Sequence, residues 1–265
     1  MDLAPFPVGL SFCGPNEEPS IDTLTYAVGD VHGRFDLFES LIGKLEADVK
    51  ARGRRCRLVL LGDYIDKGPD SSSVLSGVAS LQKQSWCEVV ALKGNHEWML
   101  IEFLAGRSDG RRWIRSGGDA TLRSFGIAVP DDPVTPEGWD TLRWRLRSAF
   151  NPPQWNLLTS LKTSFEAGDY LFVHAGVDPW KDRSTQGEET LLWIRDRFLK
   201  VKRACSKVVV HGHSSEDSPV MQKWRIGLDT AAYATGKLCA IRLVGSERTL
   251  FEANHRSIAG MQANA

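Results

Sequence analysis

Short apolar runs alternate with helix-like segments in the N-terminal part of the chain. The runs at 25–30, 57–63 and 88–95 are rich in Val and Leu, and each ends in Gly followed by Asp or Asn. Segments 34–50 and 71–84 lie between them, and the first of these carries its apolar side chains on one face at helical spacing. Strand, helix, strand, helix, strand at this spacing predicts a βαβαβ unit with a parallel sheet.

The middle of the chain has a different pattern, helical in period and rich in Trp and Arg. Thr135 precedes Pro136, and Asn151 precedes Pro152. A capping residue followed by proline is typical of a helix start. We therefore expect a helical cap insertion over about 97–165.

Apart from an N-terminal arm, we expect the chain to form one domain that the insertion interrupts. Residues 1–22 are rich in Pro, Gly and acidic side chains, which predicts an irregular N-terminal arm. A single domain is expected over 23–265, with the insertion inside it.

Strand-like runs return after the insertion. They lie at 170–176, 207–213, 224–232, 238–245 and 248–253. No long helical segment separates the last three runs, which predicts that they form an antiparallel or mixed second sheet.

Composition narrows the class of protein. The 265 residues are 42% hydrophobic, enough for a sizeable core, and the 33 basic side chains balance the 33 acidic ones. Net neutrality argues against a general nucleic-acid or acidic-membrane surface, so neither partner is expected. The 5 cysteines are widely spaced without a CxxC pair, which is typical of reduced, mostly buried thiols. With no signal peptide and no bilayer-length apolar run, we expect a cytoplasmic protein.

Polar clusters follow five of the apolar runs. They lie at 29–33, 62–68, 94–97, 174–176 and 211–213, and they hold all the histidines except His255. Any one of them alone is commonly a turn or a helix cap, but the ends of strands in open α/β sheets converge on one place. The convergence predicts a centre of nitrogen and oxygen ligands, which suits Mn, Fe or Zn.

The joint pattern GDVHG, GDYIDKG, GNHE, HAG and HGH resembles the calcineurin-like metallophosphoesterases. Within them it is most similar to the phosphoprotein-phosphatase branch, which includes bacterial and phage serine/threonine phosphatases and diadenosine tetraphosphatases. The resemblance runs from about residue 25 to about residue 245. It implies an α/β fold, a four-layer α/β/β/α sandwich of two mixed sheets with a helical cap insertion and a dinuclear metal centre at the strand ends.

The resemblance also implies a role for each matching residue. The implied metal ligands are Asp30 and His32 for the first ion, Asp63 as the bridge, and Asn95, His174 and His213 for the second ion. The implied catalytic acid is His96, oriented by Asp66, and Asn95 also faces the substrate phosphate. His211 is expected to support the ligands, and Glu97 is expected to be a helix N-terminal carboxylate outside the chemistry.

The phosphate-binding residues depart from the family pattern. Lys67 stands where the family has Arg, and it supplies charge without a bidentate fork. Arg195 is the second candidate phosphate ligand, with Arg197 as the alternative, and both have the ordinary interpretation of a solvated helix charge. The segment 116–126 resembles a glycine-containing segment near the substrate, and the alternative is a plain helix–helix loop.

The implied function is hydrolysis of phosphate monoesters by direct attack of a hydroxide that bridges two divalent ions, with Mn expected and Fe or Zn as alternatives. The substrate is expected to be protein phosphoserine or phosphothreonine, or else a small phosphate ester or nucleotide. One alternative is hydrolysis of dinucleoside polyphosphates. Another is a non-catalytic binding scaffold, which the complete ligand set disfavours.

Overall fold

The computed structural model describes residues 18–131, 134–202 and 206–255. Its N-terminal half begins with β1 (Ile21–Val28), α1 (Phe35–Arg52), β2 (Cys56–Leu60), α2 (Ser71–Leu81) and β3 (Cys87–Ala91). β1 pairs in parallel with β2, and β2 pairs in parallel with β3. The predicted βαβαβ unit is therefore confirmed. Residues 1–17 of the expected arm lie outside the described residues, and β1 already begins at Ile21.

Helices follow β3 in the region where the insertion was predicted. They are α3 (Asn95–Leu104), α4 (Arg111–Trp113), a π-helical turn (Ile114–Gly118), α5 (Asp119–Ser124), α6 (Pro136–Ala149) and α7 (Pro152–Ser160). The Thr135 hydroxyl accepts from the amide of Gly138 at 3.1 Å, which caps α6. Asn151 and Gln154 cap α7 reciprocally, each side chain accepting from the other's amide. Both helix starts lie where the sequence predicts them.

The C-terminal part supplies the remaining elements. They are β4 (Ser164–Ala167), β5 (Tyr170–Val173), a 3₁₀ turn (Arg183–Thr185), α8 (Glu188–Trp193), α9 (Asp196–Leu199), β6 (Val208–His211), β7 (Val220–Met221), β8 (Arg225–Gly227), α10 (Ala232–Thr235), β9 (Lys237–Gly245) and β10 (Glu247–Asn254). The first sheet has the order β10-β9-β1-β2-β3, and the second has the order β4-β5-β6-β8-β7.

The prediction that the last three strand-like runs share the second sheet is wrong. Only β8 lies there, whereas β9 pairs antiparallel with β1, and β10 pairs with β9. The physical reason is burial on both faces. β9 is buried at Leu238 through Leu243, so it extends the first sheet beside β1 instead of lying at an edge.

Alternating side chains of the strands build the layers. In β2, Leu58 and Leu60 point to the core beneath α1 and α2, whereas Val59 points to a second core between the two sheets. In β5, Phe172 joins the core between the sheets, and Val173 points outward to a third core that contains Phe198 of α9. Three apolar layers separate helices, sheet, sheet and helices, which is the predicted four-layer α/β/β/α sandwich.

Three of the cysteines, Cys56, Cys87 and Cys239, are buried and free, while Cys13 and Cys205 lie outside the described residues. Within the described ranges, no helix has the length and apolar character that a bilayer crossing requires. The cytoplasmic location stays a prediction.

Candidate metal centre

The polar clusters lie at the carboxyl ends of β1, β2, β3, β5 and β6, and their side chains meet around Asp63. One carboxylate oxygen of Asp63, Oδ2, lies 3.3 Å from Nε2 of His32, and the other, Oδ1, lies 3.5 Å from Nε2 of His174. Burial alone would raise the pKa of Asp63, but His174, His96 and His32 hold it well below its ordinary value. An ionised carboxylate with one oxygen toward each group of ligands has the geometry of a bridge.

The loops that carry these side chains are tightly constrained. His32, Asp63 and His213 all adopt positive φ angles of 43°, 51° and 60°, which L residues rarely do. A Cβ on Gly94 would lie 2.0 Å from Asp63 Oδ1, and one on Gly212 would lie 1.9 Å from Asp30 Oδ1. Backbone therefore packs directly against both carboxylates, and only glycine permits that approach.

A second group of ligands surrounds the amide oxygen of Asn95. Asn95 Oδ1 lies 2.9 Å from Nε2 of His174 and 2.9 Å from Nδ1 of His213. The His174 Nδ1–H donates to the carbonyl of Leu61 at 2.9 Å, so in the neutral ring Nε2 carries a lone pair. Two acceptor atoms then face each other at hydrogen-bond distance, which is the arrangement a cation satisfies.

The first group contains His32, Asp63 and Asp30. His32 Nδ1–H donates to the carbonyl of Ile65 at 2.8 Å, so its Nε2 carries a lone pair, which lies 3.3 Å from Asp63 Oδ2 and 2.9 Å from the ammonium of Lys67. Asp30 Oδ2 accepts from the amide of His213 at 3.0 Å, but its Oδ1 is buried without a hydrogen-bond partner among the described residues. Burial and the charges of Asp229 and Asp63 raise the pKa of Asp30 well above its ordinary value. A cation beside Asp30 would give the buried Oδ1 a partner and would offset the unfavourable free energy of burying the ionised carboxylate.

These donor sets fit two divalent ions. His32, Asp63 and His96 offer ligand atoms within 4.8 Å of one another, and so do Asp63, His174 and His213. Burial lowers the pKa of His32 to about 3 and that of His213 to about 2, so both rings are neutral at neutral pH and can bind metal. The mixed nitrogen and oxygen set matches the chemistry of Mn, Fe or Zn.

His96 stands beside the ligand groups at the first turn of α3. Its Nδ1–H donates to Asp66 Oδ2 at 2.7 Å, and its Nε2 lies 3.9 Å from Asp63 Oδ2. Burial lowers the pKa of His96, but the charges of Asp63 and Asp66 more than offset that effect and raise it. The ring is thereby disposed to carry a proton on the atom that faces the centre.

Asp66 is itself fully buried and held by the helical region. The indole N–H of Trp113 donates to both of its oxygens, at 3.1 and 3.0 Å, and the Thr121 hydroxyl donates to Oδ1 at 2.6 Å. Gly117 contributes its carbonyl, which accepts from the amide of Lys67 at 3.1 Å. The segment 116–126 therefore contacts the site itself and is not a plain loop between helices.

The proposed phosphate ligands lie at the exposed edge of the centre. The ammonium of Lys67 is 2.9 Å from His32 Nε2 and 4.7 Å from the ring centre of Tyr233. Arg195 is exposed, and its charge contributes to lowering the pKa of His213. Arg197 instead pairs with Asp178 at 3.0 Å, so the geometry favours Arg195 over its alternative.

Glu97 has the predicted place at the start of a helix and makes further contacts. It does accept from the amide of Gly94 at 2.9 Å, as a helix N-terminal carboxylate should, but it is fully buried and does more. Its oxygens also accept from the amides of Asp63 at 2.8 Å and Tyr64 at 2.8 Å. Burial and the charge of Asp63 raise the pKa of Glu97 to about 8. Glu97 thus holds the loop that presents Asp63.

His211 contacts the turn that carries His213, and its supporting role stays a prediction. It is fully buried, with Nδ1–H donating to the carbonyl of Gly212 at 2.9 Å and Nε2 lying 3.2 Å from a guanidinium nitrogen of Arg225. The contact fixes the turn that places His213.

Several residues of the site were missed in the sequence. They are Trp113, Thr121, Asp229 and Tyr233. Thr121 lies within the segment 116–126 and Trp113 just before it, but no local pattern indicates that their side chains reach Asp66. Asp229 follows an apolar run, as the ligand carboxylates do, and that was the available signal.

Comparison with known proteins decides the family. The family model described as calcineurin-like phosphoesterase matches residues 24–236, most of the chain. This chain belongs to the calcineurin-like phosphoesterase family. The symmetrical bis(5'-nucleosyl)-tetraphosphatase of Cellvibrio japonicus is a relative in it, 32% identical over 203 residues, which are 69% of this chain and 68% of that protein.

One further relative in sequence and one solved structure are similar to this chain. Serine/threonine-protein phosphatase 2 of Escherichia coli is 40% identical over 95 residues, but the match spans only 36% of this chain and 38% of that protein. In structure, a cold-active protein-tyrosine phosphatase of a psychrophilic Shewanella has the same fold, with a TM-score of 0.55 at 17% identity over 94% of this chain and 86% of that one. Proteins similar to this chain are thus named both as protein phosphatases and as a tetraphosphatase.

Proposed function

We propose that this chain hydrolyses phosphate monoesters, with phosphoserine and phosphothreonine of proteins as substrates and two divalent ions as cofactors. The observation that carries the proposal is the pair His96–Asp66 beside Asp63. The Nε2 of His96 faces, at 3.9 Å, the carboxylate that lies between the two ligand groups, and its Nδ1–H is held by Asp66 at 2.7 Å. A scaffold that only binds a partner has no use for that pair.

The ions would be held by the residues assigned from the sequence. These are Asp30, His32 and Asp63 on one side, and Asp63, Asn95, His174 and His213 on the other. Divalent ions bound there supply Lewis acidity toward phosphoryl oxygens and lower the pKa of water, with Mn as the expected metal.

The side chains of the protein have three tasks in this reaction. Lys67 and Arg195 offset the negative charge that grows on the phosphoryl oxygens. His96 gives its Nε2 proton to the departing serine or threonine oxygen, which would otherwise leave as a strongly basic alkoxide. Asp66 keeps the ring of His96 in the orientation and tautomer that this transfer needs, since it accepts the Nδ1–H at 2.7 Å.

Two observations support a protein substrate: the candidate phosphate-binding side chains are exposed, and the sequence is similar to that of a protein phosphatase. Lys67 and Arg195 are exposed, so a phosphorylated side chain on a large molecule can reach them from the surface. A stretch of 95 residues is 40% identical between this chain and a serine/threonine-protein phosphatase.

A second candidate is hydrolysis of dinucleoside polyphosphates. Two aromatic rings flank the centre, Tyr233 with its ring 5.5 Å from that of His32, and Trp193 with its ring 6.3 Å from that of His213. Aromatic rings on both sides of a phosphate site, each with a cation over one face, suit a ligand with a base at each end. A relative named for that activity is 32% identical to this chain.

A substrate panel with added Mn tests both candidates. The panel contains a phosphoserine peptide, a small aryl phosphate and diadenosine tetraphosphate, with His96→Asn as the matched inactive control. A higher kcat/KM for the peptide supports the phosphatase, and a higher kcat/KM for the dinucleotide supports the second candidate. No turnover of any substrate, with no stoichiometric metal in the protein, would contradict both and favour a binding scaffold.

A further inference from the structure

Arg112 reaches from one flank of the metal centre to the other. The next residue, Trp113, donates to the carboxylate of Asp66. Arg112 itself extends to Trp193, with its guanidinium carbon 4.4 Å from the ring centre. Trp193 in turn meets the ring of His213 edge-on at 6.3 Å. Arg112 therefore belongs to the segment that supports Asp66 on one side of the site, and its guanidinium stacks on the ring that neighbours His213 on the other side.

The guanidinium of Arg112 is available to a ligand. Within the described ranges it has no carboxylate partner, in contrast to Arg197, which pairs with Asp178, and Arg123, which pairs with Asp119. Stacking on an indole uses the face of the guanidinium and leaves the N–H donors at its edge free. Those donors match the spacing of two oxygens of a phosphate or a carboxylate.

Trp193 fixes where this charge stands. Its ring is braced edge-on by Trp98 at 6.1 Å, and it ends α8, two residues before Arg195. Arg195 is the residue proposed for the scissile phosphate, so Arg112 is placed beside that phosphate and not upon it. The helical region that supplies Arg112 also supplies Trp113 and Thr121 to Asp66, so its position relative to the centre is set by several contacts.

We propose that Arg112 binds a second anionic group of the substrate, next to the phosphate that is hydrolysed, and so selects substrates that carry one. The proposal rests on the proposed phosphatase function and names a specificity-determining residue for it. The second anion is a carboxylate or phosphate beside the phosphoserine of a peptide, or the next phosphoryl group of a polyphosphate chain. Both offer the same pair of oxygens.

The test compares Arg112→Gln with the wild type on four substrates in Mn. Two carry a single anionic group, an aryl phosphate and a phosphoserine peptide with neutral neighbours. Two carry a second anion, the same peptide with glutamates beside the phosphoserine, and diadenosine tetraphosphate. One charge-assisted bidentate contact corresponds to a factor of about 10 to 100 in kcat/KM. We expect that loss on at least one substrate of the second pair, and less than about threefold change on the first pair.

Matched variants separate this role from a structural one. Arg123→Gln removes an exposed arginine of the same helical region and should change neither pair, while Arg112→Lys should restore part of the selectivity because it returns the charge without the fork. The substrate that loses activity identifies the source of the second anion. Equal losses on all four substrates, or no loss on any, would overturn the proposal.

A binding measurement keeps the outcome independent of turnover. Calorimetry with phosphonate analogues of the acidic and neutral peptides should show weaker binding to Arg112→Gln for the acidic analogue alone. If the wild type hydrolyses nothing, the proposed function fails, and this binding difference still decides for or against Arg112. Equal affinities of the two analogues for the wild type would count against the second anion site.

Discussion

Asp63 lies between the two groups of candidate metal ligands. Its two oxygens face His32 at 3.3 Å and His174 at 3.5 Å, so one charge serves both ligand groups. Asp63→Asn keeps the shape but removes that charge and points an N–H₂ group at one side. We expect the variant to retain the fold, to lose bound metal, and to lose at least about a thousandfold in kcat, since the metal chemistry needs the bridge.

Metal analysis, circular dichroism and initial rates in Mn check this outcome together. Asp36→Asn is the control, because Asp36 is half exposed and pairs with Arg34 away from the ligands. Asp63→Asn with normal metal content and full activity would refute the dinuclear assignment.

A substitution of Trp113 tests how far the orientation of Asp66 and His96 contributes to turnover. Trp113→Phe keeps an aromatic ring against Phe103, which stacks on it at 5.4 Å, but removes the N–H that Asp66 accepts. Loss of a residue that orients functional side chains through a hydrogen bond typically lowers activity by about tenfold or more. We expect kcat to fall by about tenfold with KM unchanged, because His96 loses its fixed orientation and the phosphate ligands do not.

Steady-state kinetics of Trp113→Phe and Trp139→Phe check that expectation. Trp139 also packs against Phe103, at 5.9 Å, so its variant has a similar effect on the core. The same fall in kcat for both variants would show that packing, and not the bond to Asp66, is responsible.

The first turn of α3 joins the loop after β2 to the loop after β3 through hydrogen bonds. Glu97 accepts from amides of Gly94, Asp63 and Tyr64, so one buried carboxylate closes its own helix and holds the loop after β2. Glu97→Gln exchanges one acceptor oxygen for an N–H₂ group that faces a backbone donor. We expect a loss of about 2–4 kcal/mol in the free energy of unfolding, as for a broken buried network.

Urea unfolding and a Mn titration of Glu97→Gln measure the two consequences. Metal affinity should fall by about 10- to 100-fold, because the loop that carries Asp63 is no longer fixed. Glu102→Gln on the same helix removes an exposed contact with Arg107 and should change stability by less than about 1 kcal/mol. Unaltered metal affinity in Glu97→Gln would separate this helix start from the metal site.

The elements also show where prediction from the sequence succeeded. β1, β2, β3 and the caps at Thr135 and Asn151 were predictable because each is fixed by neighbours in the chain: apolar runs, glycine ends, and a polar residue before proline. The candidate metal ligands lie at the same strand ends, and the role of each was implied by the resemblance to the family and stays a prediction.

What failed depends on contacts between distant segments. The sequence of β9 is compatible with a place in either sheet. Its pairing with β1 depends on which neighbouring elements cover its two buried faces. The bond from Trp113 to Asp66 joins residues 47 positions apart, and no local period encodes it. Glu97 was correctly placed at a helix start, but its further acceptors belong to another loop.

At the scale of the whole molecule, the two sheets meet so that their strand ends share one edge. The first sheet brings Asp30, Asp63 and Asn95, and the second brings His174 and His213. The core between the sheets therefore sets the distance between the two halves of the site. Metal binding is coupled to this packing, since ligands from both sheets must be in place together.

Removal of the metal should consequently destabilise the whole fold. Without ions, the lone pairs of Asn95 and His174 face each other at 2.9 Å, and Asp30 Oδ1 is buried without a partner in the part of the chain described. A ligand at 100 times its Kd stabilises the native state by about 2.7 kcal/mol per site, and a domain of this size gains about 2–4 °C per kcal/mol. We expect Tm in saturating Mn to exceed Tm in EDTA by roughly 10–20 °C for two sites. Thermal scans in both conditions, repeated on Asp63→Asn, measure it. In that variant the difference should shrink to half or less, because the bridge belongs to both sites, and an equal difference in both proteins would place the stabilising ions elsewhere.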